Sequence, residues 1–188
     1  MSTVINLFGG PGAGKSTCAS FLFSYFKMNY PDINVELASE YIKDKIYEDN
    51  TKVLKCPEYL LGKQSYRISR LTDEVDLVIC DSPILQLAAN NQNAEEDDNA
   101  RGANEYTFDS DVYYWFCLKI HDRFDNLNFF LNRVNIYNTE GRFQTEEESD
   151  LVSSKMKSFL KDRFIPFVEA DGDKEGYLSI AENIGGII

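Results

Sequence analysis

Nine consecutive residues, Gly9-Gly10-Pro11-Gly12-Ala13-Gly14-Lys15-Ser16-Thr17, restrict what this chain can fold into more than any other segment. They satisfy the spacing G-x-x-x-x-G-K-[ST] at every specified position, and they follow an apolar run, Thr3 to Phe8, that suits a strand. Glycines let the backbone adopt positive φ and approach phosphate oxygens with no Cβ in the way. The loop amides then face inward as an anion nest, and the helix that follows adds the partial positive charge of its N-terminus. Lys15 brings a full charge to the β- and γ-phosphates, and the Ser16 hydroxyl can ligate Mg²⁺. The segment predicts a strand, a phosphate-binding loop (P-loop) and a helix, with ATP and Mg²⁺ as its ligands.

Beyond the loop, strand-like runs alternate with helical patterns, which predicts an α/β fold with a parallel sheet covered on both faces. The expected strands after Thr3 to Phe8 are Ile33 to Ala38, Val75 to Cys80, Asn128 to Leu131 and Pro166 to Glu169. Helices are expected from Gly14 to Met28, after an N-cap at Ser39, from Pro57 to Leu71, after Pro83, after a cap at Asp109, and from the capping box Thr145-Glu146-Glu147-Glu148 to Arg163. A short helix closes the chain. Asn90 to Glu105 is polar and acidic and reads as a mobile loop or an inserted lid, and Arg133 to Gln144 reads as a polar connector serving as a small lid. The whole of 1–188 is expected to form one domain.

Composition narrows the setting. Cys18, Cys56, Cys80 and Cys117 form no C-x-x-C pair and His121 is the single histidine, so a zinc site is not expected. The N-terminus lacks a basic segment and a long apolar run, and no apolar stretch reaches the ~18 residues of a membrane span. With unpaired cysteines, this predicts a cytoplasmic protein without a membrane partner. The net charge of −12 counts against broad attraction to nucleic acid, while leaving room for a local basic groove.

Several other residues carry chemistry. Asp81 ends an apolar strand, at the edge of a parallel sheet that faces the ligand crevice, where a carboxylate can hold Mg²⁺; the alternative is a helix N-cap. Glu40 follows the second strand on the same edge and can take or orient the proton of an acceptor hydroxyl; the alternative is an ordinary first-turn glutamate. Asp44, one turn on, is a weaker candidate. Lys63, Arg67 and Arg70 share one helix face and either clamp an anionic acceptor or form a solvated charged face. Gln64 and Tyr66 lie close enough to read a base or a sugar. Arg133 and Arg142 bracket the connector: an arginine closing over the transferred phosphoryl group can be worth ~10³ or more in rate, which suits Arg142, whereas Arg133 suits the base of the lid or contact with the acceptor. His121 reads as a satisfied helical or surface residue, and Tyr113, Trp115 and Phe116 read as core or interface.

The segment Ile5 to Thr17, together with Ser39-Glu40-Tyr41-Ile42-Lys43-Asp44, Gly62-Lys63-Gln64, Val78-Ile79-Cys80-Asp81-Ser82-Pro83 and Gly141-Arg142-Phe143-Gln144-Thr145-Glu146-Glu147-Glu148, resembles a family of AAA-type ATP-binding proteins common in bacteriophages. The layout is similar to small P-loop kinases, the ribosylnicotinamide kinase domain in particular. The resemblance implies a five-stranded parallel sheet, an ATP-dependent kinase role, Glu40 near the acceptor, Asp81 near Mg²⁺ and Arg142 in a lid. It implies a host cytoplasm as the setting if the chain is phage-encoded. It names no acceptor: a hydroxyl or a phosphate of a nucleoside, a nucleotide, or a modified base such as a hydroxymethylated one, free or in DNA, all fit. The rival reading is a P-loop ATPase or nucleotide-dependent switch acting on a partner protein.

Overall fold

A computed structural model describes residues 2–50, 53, 55–101, 109–134 and 145–188. Its centre is a sheet of five strands, β1 (Thr3–Phe8), β2 (Val35–Ala38), β3 (Leu77–Cys80), β4 (Asp125–Asn132) and β5 (Val168–Asp171), in the order β2-β3-β1-β4-β5. Every pairing is parallel. Successive side chains of a strand point to opposite faces, and both faces here are covered, so the central strands read as unbroken apolar runs. All four residues of β3 are buried, as are the last five of β1.

Each face has its own core. On one, Ile5 and Leu7 of β1 and Phe129 and Leu131 of β4 pack against Cys18, Leu22 and Phe26 of α1 (Lys15–Asn29) and Tyr177, Ile180 and Ile184 of α7 (Lys174–Gly185). On the other, Val4, Phe8, Val78 and Phe130 meet α3 (Pro57–Ser69), α4 (Ile84–Arg101), α5 (Ser110–His121) and α6 (Glu146–Asp162). The short α2 (Tyr41–Tyr47) lies directly after β2. Polar residues inside the sheet are paired. Asn6 donates to Asn126 and Asn128, and Asn128 donates in turn to the Pro166 carbonyl, so the amides cross between strands with their hydrogen bonds satisfied.

The register fixes where the site lies. Ala38 and Asn6 both stand opposite Cys80, and Phe8 stands opposite Phe130. The strands therefore end at one edge, and the loops leaving them meet there.

Two local expectations change. Asn90 to Arg101 is the continuation of α4, where a loop was expected. No glycine or proline lies between Pro83 and Gly102, and alanine, glutamate and glutamine favour helix, so the acidic run is a polar helical stretch. Residues 102–108, the rest of that expected loop, lie outside the described residues. The cap position of α2 is Glu40, and neither its side chain nor that of Ser39 caps the helix; the Ser39 hydroxyl accepts from Arg67. The aromatic cluster on α5 splits: Tyr113 is buried and donates to the Pro57 carbonyl, while Trp115 and Phe116 are exposed. The caps at Asp109 and Thr145 form as expected, the second as a reciprocal capping box with Glu148.

Candidate active site

The loop between β1 and α1 has the backbone that its composition predicts. Gly9 and Gly14 sit at φ +145° and +87°, where an L side chain is strained. A Cβ on Gly9 would also lie 2.8 Å from the Leu131 carbonyl oxygen, and one on Gly14 would collide with the Tyr177 hydroxyl. Gly14 caps α1 without any side-chain hydrogen bond, so the helix opens with its first amides directed at the loop. Two hydroxyls from distant elements hold the loop from behind. Ser149 of α6 donates to the Pro11 carbonyl at 2.6 Å, and Tyr177 of α7 bonds the carbonyls of Gly172 and Gly14 at 3.1 and 3.4 Å. Neither residue belongs to a recognisable motif, and sequence reasoning missed both.

A cleft of about 690 Å³ opens over this loop, walled by Pro11 to Thr17 and, across from them, by Glu40, Lys43 and Tyr47. Inside it, the Lys15 ammonium folds back on the loop and donates to the carbonyls of Gly9 and Gly10 at 2.8 and 3.0 Å. Lys43 of α2 donates to the Ser16 hydroxyl at 2.9 Å. Ser16, Glu40, Lys43 and Tyr47 also wall an adjoining cleft of about 220 Å³ whose floor includes Asp81. The structure thus brings together Lys15, Ser16, Glu40 and Asp81, from three separate loops.

Asp81 is buried, and its Oδ1 has no hydrogen-bond partner. A buried carboxylate oxygen without a donor is costly unless something positive meets it. With the Ser16 hydroxyl on the same cleft, the donors are two hard oxygens, which fit Mg²⁺. That ion keeps several waters and takes phosphate oxygens rather than a full protein cage. No cluster of three or more His, Cys, Asp or Glu ligands exists among the described residues. Glu40 has its proton affinity raised, chiefly by burial; Lys15 opposes that, Asp81 adds to it and Lys43 opposes it. A carboxylate in that position accepts a proton more readily than a solvated one.

A third cavity, of about 460 Å³, lies where α2 meets α3 and is lined by Lys63, Arg67 and Arg70 together with Tyr41 and Tyr66. It shares Ser39 and Asp44 with the cleft above Asp81. Arg67 is engaged, donating to the Ser39 carbonyl at 3.0 Å and pairing with Asp44. Lys63 lies over the Tyr59 ring at 5.4 Å. Gln64 is turned inward: it accepts from the Tyr41 amide at 3.0 Å and donates toward Cys80 Sγ, so its amide ties α3 to α2 and β3 instead of facing a base or sugar. Arg133, just past the end of β4, pairs with Glu146 and Asp150 of α6 at 2.6 and 2.5 Å. Arg142 and the connector from 135 to 144 lie outside the described residues. Cys18, Cys80 and Cys117 are buried thiols pushed up to about 12 by desolvation, which makes them unreactive at neutral pH. No helix among the described residues is long and apolar enough to cross a membrane.

The family described as AAA domain matches residues 4–175 of this chain. No curated protein sequence matches it. Among solved structures, it is similar to a thymidylate kinase from Ehrlichia chaffeensis (TM-score 0.59, 14% identity, 100% of this chain and 99% of that one). It is also similar to a deoxyadenosine kinase from M. mycoides with dCMP and a flexible dCDP bound (TM-score 0.57, 17% identity, 98% and 100%). A thymidylate kinase from Candida albicans of broad substrate specificity gives a TM-score of 0.52 at 18% identity over 100% and 91%. At these identities the likeness is one of fold: a five-stranded parallel sheet flanked by helices and carrying a P-loop, as in the nucleotide kinases.

Proposed function

This chain belongs to the AAA domain family, and we propose that it is an ATP-dependent kinase that moves the γ-phosphoryl group to a hydroxyl of a nucleoside, nucleotide or modified base. One observation carries the reading: Glu40 walls both the cleft over the P-loop and the cleft over Asp81, beside Lys15, with its proton affinity raised by burial. A machine that only hydrolyses ATP has no need of a second, walled space adjoining the P-loop cleft.

In this reading the acceptor oxygen sits against Glu40, which takes its proton as the new bond to the γ-phosphorus forms. The bond from that phosphorus to the bridging oxygen breaks, and ADP leaves with the electron pair. Lys15 and the loop amides carry the charge of the triphosphate. Ser16 and Asp81 would hold Mg²⁺, whose charge lowers the cost of crowding anionic oxygens together. A half-buried carboxylate at the point of attack favours a neutral hydroxyl over a phosphate, which it would repel. The basic cavity lined by Lys63 and Arg70 then suits an anionic group elsewhere on the acceptor. Lys63, Arg67 and Arg70 line that cavity with Asp44 as its acidic residue, in a chain of net charge −12, so that group finds a locally favourable field. A nucleotide meets both demands. A hydroxymethylated base meets the first, and within DNA the overall charge opposes it.

The test is to incubate the protein with γ-labelled ATP, Mg²⁺ and pools of nucleosides, nucleotides, and plain and hydroxymethylated DNA. Label is expected on a hydroxyl of one of these acceptors. Label that appears as free phosphate whatever is offered would remove the kinase reading and leave an ATPase or a nucleotide-dependent switch.

A further inference from the structure

Two ammonium groups stand at the phosphate site. The motif accounts for Lys15. It does not account for Lys43, which comes from α2, three residues after Glu40, and donates to the Ser16 hydroxyl at 2.9 Å. Lys43 walls both the cleft over the P-loop and the cleft over Asp81. Its charge also acts on Glu40, favouring the ionised carboxylate.

The Ser16 hydroxyl oxygen is the P-loop atom expected to ligate Mg²⁺. That oxygen cannot serve a divalent cation well while an ammonium is bonded to it, because two positive charges would then crowd one small dipole. Lys43 and Mg²⁺ therefore compete for Ser16. When the metal takes the oxygen, the Lys43 side chain, which is exposed and on a long flexible stem, has to find another anion. Of the carboxylates round the clefts that Lys43 walls, Asp44 is paired with Arg67 and Asp81 faces the metal position, which leaves Glu40 and the terminal phosphate of a nucleotide held on the P-loop.

We propose that Lys43 is a movable cation of the phosphate site, which yields the Ser16 hydroxyl to the metal and takes the terminal phosphate of a bound triphosphate. The exchange frees Ser16 for the metal and adds a second lysine to the γ-phosphate. This rests on the P-loop binding a triphosphate and is independent of what the acceptor is.

The test uses the whole chain and equilibrium binding. Affinities for Mg²⁺–ADP and for the Mg²⁺ complex of a non-hydrolysable ATP analogue are measured for the wild type, Lys43→Met and Lys43→Arg. Mg²⁺ is also titrated into each ADP complex. A lost ammonium–phosphate contact should weaken the analogue about tenfold or more in Lys43→Met. Mg²⁺–ADP, which lacks that phosphate, should bind at least as tightly as to wild type. Mg²⁺ should half-saturate the ADP complex at lower concentration, since its competitor for Ser16 is gone. Lys43→Arg, which keeps the charge, should retain the preference for the analogue. Lys43→Gln, polar and uncharged, is the second variant and should follow the methionine. Equal losses for ADP and analogue, or no loss of the analogue, would overturn the proposal. These readouts need no acceptor, so a failure to phosphorylate every acceptor offered would leave the result interpretable.

Discussion

Ser149 and Pro11 are separated by 138 residues of sequence, yet the Ser149 hydroxyl donates to the Pro11 carbonyl at 2.6 Å, tying α6 to the back of the phosphate-binding loop. Ser149 is buried, and its removal takes away the donor that the Pro11 carbonyl has in the structure. Ser149→Ala should cost about 1–2 kcal/mol of folding stability, read by denaturant unfolding. It should also weaken ADP several-fold in a binding titration, because the loop is no longer fixed from behind. Unchanged affinity would show that the loop keeps its shape without this tie.

The loop also limits which substitutions it can absorb. Gly14→Ala combines a positive φ with a collision at the Tyr177 hydroxyl. It should lower nucleotide affinity by at least about tenfold, since the first amides of α1 would have to shift. Lys15→Ala should nearly abolish turnover and leave the fold intact, as judged by an unchanged circular dichroism spectrum.

Glu40 has a pH signature. Its proton affinity is raised above that of an ordinary glutamate, and it works as a base only when ionised. The rate of transfer should therefore rise with pH through a value above 4.5, not at it. Glu40→Gln should retain ATP binding, lose transfer by about a hundredfold or more, and lose the acidic limb of the profile. Wild-type transfer rates in Glu40→Gln would remove this residue from the mechanism.

His121 gives a stability prediction unrelated to the site. It is buried at the end of α5, and desolvation lowers its pKa from 6.5 to about 4, with Asp122 pulling weakly the other way. Between those values the unfolded chain binds a proton that the folded chain refuses. The stability present above pH 6.5 is thus lost as pH falls toward about 4, by about 3 kcal/mol for this residue. His121→Gln should remove that slope from the difference between wild-type and variant unfolding free energies measured from pH 7 to 4.5. Parallel curves would mean that His121 is protonated within the fold.

What the sequence determined by itself is the loop and the layers. Gly9 to Thr17 carries its geometry in its composition, because positive φ and close backbone approach leave few alternatives to glycine. The apolar runs of β1 and β3 and the capping box at Thr145 are equally local, and they form where their residues predict. Polarity alone misled at Asn90 to Arg101, because an acidic run is compatible with a solvated helix as well as a loop, and helix propensity decided between them. Gln64 misled for the opposite reason: whether an amide faces a ligand or the interior depends on which helix lies behind it. The tertiary structure alone decided that Glu40, Lys43 and Asp81 stand round one cleft with Ser16, and that Ser149 and Tyr177 hold the loop from behind. Those relations follow from the register of parallel strands that end at a common edge, and register is a property of pairing between distant segments that no local pattern contains.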